Sequence, residues 1–428
     1  MTVEVQIIVV LVSILLLFLI AGYPMVVPML VAPIVIMAVY LPTLDPLMII
    51  QQLYTGVQSY SLLAVPMYML AADIMCQGKA AEFLIDIMKS FLGHIHGGLA
   101  IAASATCTFF GAISGSCQAT LVAVGGPMRP QMLKSGYKDR DIVALMMNSA
   151  NIALLIPPSC LMILFATTAG TSVADLFIAG VLPGLVLFFM FAVYSYVLAR
   201  KNKTPVQPKA SWKQRLHACK RGIFALGFPV IVLGGIYAGI FSVIESAAVG
   251  VAYALIVERC IYKSITLKDF YRISRNTGVV TAAIFVLIAA GSAFSFVMTY
   301  ASVPQTIMQL LLGENPTKFK MLLVITIVFW VANMLMDGMV SILILVPIFF
   351  ETAVSLGIDP IQIGIIVTMQ GAIGGITPPF GCNIFTACAI YRKSYIDCIR
   401  GLPPYIIMMV LVSLLLIVFP SLSTFLVT

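Results

Sequence analysis

Long apolar runs without a charged residue set the pattern of this chain. A helix needs about 20 residues to cross the apolar core of a bilayer, so runs of roughly 20–28 residues predict one crossing each. Runs of roughly 32–40 residues predict two crossings, or one broken crossing with a re-entrant arm, giving about 10–12 crossings in total. Period-two alternation is absent, which excludes a transmembrane β-barrel. The uncharged runs are residues 5–44, 46–72, 90–128, 142–174, 176–199, 222–244, 276–313, 321–336, 338–350, 360–391 and 401–428.

Composition agrees with a membrane protein that crosses the bilayer many times. The chain has 428 residues, of which 61% are hydrophobic and 9% charged, and its mean hydropathy is +1.09. A soluble domain has about 25% charged residues. The predicted fold class is therefore an all-α polytopic membrane protein, with the lipid bilayer as its surroundings.

The net charge of +8 lies mainly in loops, which indicates membrane topology rather than a nucleic-acid partner. Segment 200–222 has eight Lys or Arg residues and no acidic residue, so the positive-inside rule places it in the cytoplasm. Residues 137–140, 258–275 and 391–393 are weaker cytoplasmic candidates. The start, MTVEVQ, lacks the basic region of a cleaved signal peptide, so we expect the first span to remain. The nine cysteines form no CxxC pair and are interpreted as small buried residues.

The sequence predicts an internal duplication. Shifting the chain by 221 residues aligns glycines and prolines without a gap. Glycine and proline often mark a turn or a break in a helix. Paired segments interrupted by Gly and Pro in two halves are typical of a transporter binding site. The aligned pairs are Gly136 with Gly357, Pro157-Pro158 with Pro378-Pro379, Gly180 with Gly401, Pro183 with Pro404, Ser116 with Asp337 and Thr120 with Ser341.

Each half is predicted to contain a helical hairpin and then a broken helix. The alternative for a hairpin is an ordinary pair of spans with a tight turn, and the alternative for a break is a packing kink without a ligand. The predicted halves are residues 1–200 and 223–428 around a basic cytoplasmic linker at 201–222, with hairpins at 97–134 and 321–352 and broken helices at 142–170 and 361–391.

The proline pairs predict groups that bind ions. Proline has no backbone N–H, so the carbonyls before each pair are free to bind a small cation. The second proline is suited to begin a half-helix, whose N-terminus favours an anion. The nearby polar groups are Ser149, Asn151 and Ser159 in the first half, Thr377 and Asn383 in the second, and Ser114, Gly115, Ser116, Asp337 and Gly338 at the hairpin tips.

A charged residue in or beside a span is expected to have a functional or structural role, because an acid at mid-membrane costs about 2.5–3.5 kcal/mol on insertion scales. Asp337 is the functional candidate, with capping of the second hairpin arm as the alternative. We expect Glu245 to cap a helix and Asp73 to lie near an interface. Arg129 is a candidate anion ligand, although an interface anchor is the favoured interpretation. No histidine falls within a span, which favours Na⁺ over H⁺ coupling, and no GxxxxGK[ST] loop predicts a nucleotide site.

Seven segments, in order along the chain, resemble the large membrane subunit of TRAP (tripartite ATP-independent periplasmic) transporters. The resemblance covers nearly the whole chain. The segments are FGAISGSCQATLVAVGGPMRPQMLKSGY (110–137), LIPPS (155–159), LFIAGVLPG (176–184), MDG (336–338), VPIF (346–349), GIDPIQIGI (357–365) and ITPPFGCNIF (376–385).

The resemblance implies an elevator-type, Na⁺-coupled importer of organic acid anions, with two inverted repeats, in a bacterial inner membrane. It also implies a small four-helix membrane subunit and a periplasmic substrate-binding protein as partners, and two or more Na⁺ ions. The family's Na⁺ sites fall here at Ser114, Gly115 and Ser116 with Ser149, Asn151 and Pro157, and at Asp337 and Gly338 with Gly375, Thr377, Pro378 and Gly381. The candidate substrate ligands are Ser116, Asn151, Ser159, Asn383 and Arg129.

This sequence departs from the family pattern at several points. NSANIALL (148–155) stands where the family has a glycine-rich stretch, which changes the ligands or the substrate fit expected there. Cys117 and Gln118 stand where small residues or Ser are usual. SVIES (242–246) replaces TPTEA, which weakens any functional role borrowed for Glu245.

Three other functions compete with this interpretation. A stand-alone Na⁺/carboxylate symporter that needs no binding protein is the nearest alternative, and a channel or scaffold is more remote. GAISGS (111–116) resembles the serine loop of an intramembrane protease only loosely, and no histidine in a span supplies a base, so no enzyme is predicted. The substrate stays open among C4-dicarboxylates, sialic acids and other sugar or keto acids.

Overall fold

The computed structural model of this chain describes residues 2–313 and 316–427. Within these residues it consists of α-helices with short 3₁₀ and π segments and contains no strand, which confirms the all-α prediction. Seven of the described helices are long and apolar enough to cross a membrane. Several uncharged runs divide into apolar helices of 10–17 residues instead. Helix length alone therefore supports fewer full crossings than the runs predict.

The part of the chain before the basic segment forms the first eleven helices. Two 3₁₀ turns, Tyr60–Leu63 and Ile152–Leu154, and a π segment, Leu121–Gly125, lie between them. The helices are α1 (Val3–Ile20), α2 (Val26–Tyr40), α3 (Leu47–Thr55), α4 (Ala64–Gln77), α5 (Ala80–Leu92), α6 (Gly98–Ser114), α7 (Cys117–Thr120), α8 (Gly126–Lys134), α9 (Asp139–Asn151), α10 (Cys160–Ala169) and α11 (Val173–Lys201).

The second part of the chain continues the helical fold. A π segment, Ile256–Ile261, follows its second helix. The helices are α12 (Trp212–Tyr237), α13 (Val243–Leu255), α14 (Leu267–Tyr300), α15 (Val303–Leu312), α16 (Lys318–Leu335), α17 (Gly338–Ser355), α18 (Pro360–Gly374), α19 (Cys382–Tyr391), α20 (Tyr395–Ile399), α21 (Pro403–Val418) and α22 (Ser421–Thr424).

In each segment predicted as a hairpin, two helical arms are joined by a short turn. The first runs down α6, turns at Gly115 and returns through α7, the π segment and α8 to Lys134. The second is α16 and α17, and it extends about one turn beyond the predicted bounds at each end. A side-chain oxygen caps the returning arm in each case: Ser116 accepts from the Ala119 N–H, and Asp337 accepts from the Met339 N–H at 2.9 Å. Such caps fix where an arm begins, so the turn positions follow from local sequence.

The two broken helices occupy the centre of the molecule. The first is α9, a 3₁₀ turn and α10, and the second is α18 and α19 with residues 375–381 between them. Every residue of α9 from Ile142 onward and every residue of α18 from Ile361 onward is buried. Hairpin arm α6 packs on α9, and hairpin arm α16 packs on α18. Irregular backbone at the first break, residues 152–159, is therefore enclosed by protein, as a membrane requires, whereas Pro379 and Phe380 of the second break are exposed.

The turns from hairpin to broken helix are alike in the two halves. Each contains one glycine with positive φ, Gly136 at +83° and Gly357 at +76°. Few residues other than glycine adopt this conformation without cost. These two glycines are one of the pairs that the 221-residue shift aligns.

The linker between the halves is shorter than the predicted 201–222. Helix α11 ends at Lys201, and α12 begins at Trp212 with a capping box between Ser211 and Gln214. A reciprocal cap of this kind satisfies two backbone donors, and it fixes the start of α12 inside the predicted linker. Glu245 forms an equivalent capping box with Ser242 at the start of α13, which confirms its predicted structural role.

Candidate functional site

The tip of the first hairpin lies directly against the first break. Gly115 has φ +58°, and a Cβ atom placed on it would overlap the carbonyl oxygen of Pro158. One turn earlier on α6, a Cβ on Gly111 would lie 2.7 Å from the Cα of Ala153. Glycine at both positions lets the hairpin backbone touch the backbone of the break. The structure thus brings the predicted tip residue Gly115 to the proline pair.

The second hairpin makes the corresponding contact with the second break. The Phe380 N–H donates to the Met334 carbonyl at 3.1 Å, and the Trp330 indole N–H donates to the Thr377 hydroxyl at 3.2 Å. A Cβ on Gly374 would overlap the Asn333 side chain and crowd its backbone. Arm α16 and the break are therefore held by hydrogen bonds as well as by close packing.

A pair of asparagines joins the two breaks to each other. The Asn383 side-chain amide, at the start of α19, donates to the Asn151 side-chain oxygen at the end of α9. The Asn151 amide in turn donates to the Ala372 carbonyl of α18 at 2.6 Å. All of these groups are buried. We call this arrangement the amide bridge; it commits both polar ends of Asn151, a predicted ion and substrate ligand, to protein contacts.

Free backbone oxygens remain at each break. Among the described residues, the carbonyls of Ile156 and Pro157 in the first break and of Ile376 and Thr377 in the second accept no hydrogen bond. Oxygens without a donor, in a buried position, are suitable ligands for a small hard cation. The Gly375 carbonyl, by contrast, accepts the Asn383 N–H at 2.9 Å.

The hydroxyls predicted as cation ligands differ in their partners. Ser114 shares a hydrogen bond with Thr120 at 2.7 Å, which keeps it at the first tip. Thr377 donates to the Ile373 carbonyl at 2.6 Å. Ser149 pairs with Ser104 at 2.7 Å, well down α6 from the tip, so the structure does not bring its hydroxyl to Gly115.

Two predicted substrate ligands have buried polar atoms without a partner. Within the described part of the chain, the Ser159 hydroxyl and the Asn383 side-chain oxygen make no hydrogen bond, and both residues are fully buried. Buried polar atoms are nearly always satisfied in folded proteins. These two atoms are therefore the best places at the breaks for a solute to bind. Gln118, which the sequence interpretation treated only as a departure, donates from the first tip to the Cys382 sulfur at 3.4 Å.

Arg129 lies in an ion-pair cluster at the base of the first hairpin. Its guanidinium donates two hydrogen bonds to Asp139, at 2.7 and 2.9 Å, and Lys393 contacts the same carboxylate at 2.5 Å. The Arg129 hydrogen bond lowers the pKa of Asp139 to about 2. The guanidinium also lies over the Tyr391 ring at 5.1 Å. Its guanidinium is already engaged by Asp139 and Tyr391, which favours the anchoring role over the predicted substrate role.

The other two acidic residues considered in or beside the spans, Asp73 and Asp337, each accept a hydrogen bond. Asp73 accepts a 2.5 Å hydrogen bond from Thr277 of α14, so it contributes to packing between helices. Asp337 is exposed, and within the described residues its side chain accepts one hydrogen bond, from the Met339 N–H that it caps at the start of α17. One of its oxygens therefore stays available at the second tip.

Comparison with known protein families decides the identity. The model of the tripartite ATP-independent periplasmic transporter, DctM component, matches residues 12–422. The chain belongs to this family. The resemblance found in the sequence is thereby confirmed. This DctM chain is a transport subunit and not an enzyme.

Three of the relatives of this chain are named as large permease proteins of TRAP transporters. The ectoine permease TeaC of Halomonas elongata is 46% identical, and the alignment covers 95% of this chain and 96% of TeaC. The ectoine/5-hydroxyectoine permease UehC of Ruegeria pomeroyi is 44% identical over the same shares. The C4-dicarboxylate permease DctM of Pseudomonas aeruginosa is 37% identical over 87% of each chain.

Solved transporters share the fold of this DctM chain. YdaH of Alcanivorax borkumensis superposes with a TM-score of 0.62 at 14% identity, over 87% of each chain. MtrF of Neisseria gonorrhoeae superposes with a TM-score of 0.61 at 11% identity, over 86% of this chain and 82% of MtrF. At such low identity the likeness concerns the fold alone.

Proposed function

We propose that this chain is the permease of a Na⁺-coupled importer of ectoine or a closely related small zwitterion. The observation behind the proposal is the order of identities: 46% and 44% to two ectoine permeases, against 37% to a C4-dicarboxylate permease. The proposal includes a small membrane subunit and a periplasmic binding protein as partners, in a bacterial inner membrane. A tripartite family favours these partners over a stand-alone symporter.

The chemistry of the breaks fits such a substrate. Ectoine has a carboxylate and an amidinium in one ring, so its net charge is zero. The free polar atoms at the breaks belong to neutral groups, Ser159 and Asn383, and the candidate cation Arg129 lies at the base of the first hairpin, paired with Asp139. A dicarboxylate would need a compensating positive charge there, because burying an unpaired charge is costly.

Na⁺ coupling is supported by the oxygen ligands at each break. Free carbonyls at Ile156, Pro157, Ile376 and Thr377 supply neutral oxygen, and Asp337 supplies a negative charge at the second tip. Entry of one positive charge down a 100 mV potential gives about 2.3 kcal/mol, which is enough to concentrate a neutral solute.

Uptake into proteoliposomes tests the proposal. The permease is reconstituted with a small membrane subunit and a binding protein of the same transport system, and uptake of radiolabelled ectoine and succinate is measured under an inward Na⁺ gradient. We expect saturable, Na⁺-dependent ectoine uptake that exceeds succinate uptake by about tenfold, equivalent to about 1.4 kcal/mol. Faster succinate uptake contradicts the substrate, equal uptake with K⁺ in place of Na⁺ contradicts the coupling, and uptake without the binding protein favours the stand-alone symporter.

Replacing Asp337 separates its charge from its capping role. We expect Asp337→Ala to raise the Na⁺ concentration for half-maximal ectoine uptake by about tenfold, because it removes an anionic ligand worth about 1.4 kcal/mol. Asp337→Ser is the matched control: it keeps an oxygen to cap α17, a cap worth about 1 kcal/mol, but removes the charge. Asp337→Ser should shift the Na⁺ titration as Asp337→Ala does. A wild-type titration in the serine variant would mean that Asp337 serves only as a cap.

A further inference from the structure

A second polar cavity lies away from the breaks, between α3, α10, α14 and α17. It has a volume of about 590 Å³, within the range of about 300–1,000 Å³ typical of small-molecule sites. We call it the outer cleft. Hydroxyl groups from several segments line it, among them those of Ser59, Thr167, Thr168, Ser292, Ser295 and Thr299.

The outer cleft contains one carboxylate and no basic side chain among the described residues that line it. That carboxylate belongs to Glu351, which is exposed and has no ion-pair or hydrogen-bond partner in the described part of the chain. Thr167 and Thr168 donate their hydroxyl protons to carbonyls of their own helix, at 2.8 and 2.9 Å, which leaves oxygen lone pairs facing outward. The lining therefore offers acceptors and one negative charge, and it suits a ligand with N–H donors and a positive charge.

The outer cleft opens on the face away from the basic segment. Three residues separate the end of α10 at Ala169, in the cleft lining, from the start of α11 at Val173. Helix α11 ends at Lys201, and its 29 residues are about 43 Å long, enough to cross a bilayer. Helix α14 likewise has its basic residues, Lys268, Arg272 and Arg275, at the opposite end from Thr299. The positive-inside rule places those basic ends in the cytoplasm, so the cleft faces the side from which an importer receives its solute.

The floor of the outer cleft lies next to the candidate site. On α17 the lining runs from Leu343 to Glu351, about 12 Å at 1.5 Å per residue. Leu161, one turn before the floor residue Leu164, packs on the second hairpin tip: a Cβ on Gly338 would lie 3.2 Å from its methyl groups. It also packs on α18, where a Cβ on Gly371 would lie 3.0 Å from it. Helix α10 thus lines the cleft at Leu164 and contacts the second tip one turn earlier, at Leu161.

We infer that the outer cleft is a binding site that receives the solute before it reaches the breaks, and that Glu351 selects for small molecules with an amidinium or similar nitrogen cation. The inference rests on the proposed ectoine-class substrate and adds a residue that discriminates against anions. A negative charge at the mouth of a cleft raises the local concentration of cationic groups and repels dicarboxylates.

The test compares Glu351→Gln with Asp175→Asn in the reconstituted complex. Asp175 lies in the first turn of α11, on the same face but outside the cleft, so its replacement removes an equal charge. We expect Glu351→Gln to raise the KM for ectoine about fivefold with little change in maximal rate. This change corresponds to the upper end of the interaction energies measured for charge pairs at partly exposed sites. Asp175→Asn should change KM less than about twofold, which corresponds to the lower end of those energies.

Acetamidinium supplies a second measurement, because it has the amidinium group without a carboxylate. It should compete with ectoine in the wild type and lose most of this effect in Glu351→Gln. If Glu351→Gln is not recovered in the membrane, Ser295→Ala with Thr299→Ala removes two lining hydroxyls at constant charge and should raise KM in the same direction.

Each other result counts against the inference. A wild-type KM and unchanged acetamidinium competition in Glu351→Gln overturn it while leaving the proposed function intact. A shift in the Na⁺ titration without a change in KM means that the cleft serves the coupling ion, which also overturns it. Absence of ectoine uptake by the wild-type complex refutes the proposed function itself.

Discussion

Replacing Pro378 and Pro379 together with alanine is expected to abolish uptake while the protein still inserts in the membrane. Alanine is favoured over proline in a helix interior by about 3 kcal/mol per residue, so the double change promotes continuous helix from α18 into α19. In a continuous helix the new N–H groups of residues 378 and 379 would donate to the Gly374 and Gly375 carbonyls, in competition with the Thr377 and Asn383 N–H groups that they now accept. Uptake in proteoliposomes should fall to background, with wild-type amounts of protein in the membrane fraction.

The control for this change is Pro33→Ala. Pro33 lies inside α2, away from both breaks, so the substitution makes the same chemical change in an apolar helix. It should leave uptake near the wild-type rate. Wild-type uptake by the Pro378-Pro379 variant would show that the break has no part in binding or transport.

Gly115→Ala is expected to reduce uptake about tenfold or more. The residue has positive φ, and the added methyl group would meet the Pro158 carbonyl. The left-handed backbone costs alanine roughly 1–2 kcal/mol, and overpacking adds typically 1–3 kcal/mol. The first tip must then move away from the first break, which separates the groups predicted to enclose an ion.

Gly170→Ala isolates the effect of the clash. Gly170 ends α10 with φ +67°, and a Cβ there meets nothing within 4 Å, so this variant has the backbone cost alone. We expect its uptake to be within about threefold of wild type, and its thermal unfolding to shift by a few degrees at most. Equal uptake in the two glycine variants would show that the contact with Pro158 is unimportant.

Local signals in the sequence predicted the positions of the hairpins and breaks. Glycine and proline restrict the backbone wherever they occur, so Gly115, Gly136, Pro157 and Pro378 mark turns and breaks without knowledge of the rest of the chain. The cap at Glu245 also follows from spacing, because its partner Ser242 is three residues away. These features depend on neighbouring residues, although α10 begins at Cys160 and α19 at Cys382 and not, as the sequence predicted, at the second proline of each pair.

Contacts between distant segments could not be read in this way. Asn151 and Asn383 are 232 residues apart, and the sequence suggested that both bind solute or ion, whereas the structure bonds them to each other. Ser149 has the right position along α9 for a ligand, but helix packing directs its hydroxyl to Ser104. Asp139, which pairs with both Arg129 and Lys393, and Lys393 itself come from two segments whose basic residues indicated only topology. Which polar groups meet depends on how the helices cross, and hydrophobic periodicity does not determine that.

The amide bridge has a consequence for behaviour at different ionic strengths. Dissolved salt weakens attraction between exposed charges, over a Debye length of about 8 Å at physiological concentration and about 3 Å at 1 M. The cluster of Arg129, Asp139 and Lys393 is partly exposed and is subject to this screening. The bonds among Asn151, Asn383 and Ala372 join buried groups without formal charge, so screening leaves them unchanged. The centre of the protein is therefore held together by contacts that keep their strength in brine, while ionic contacts at its margin weaken.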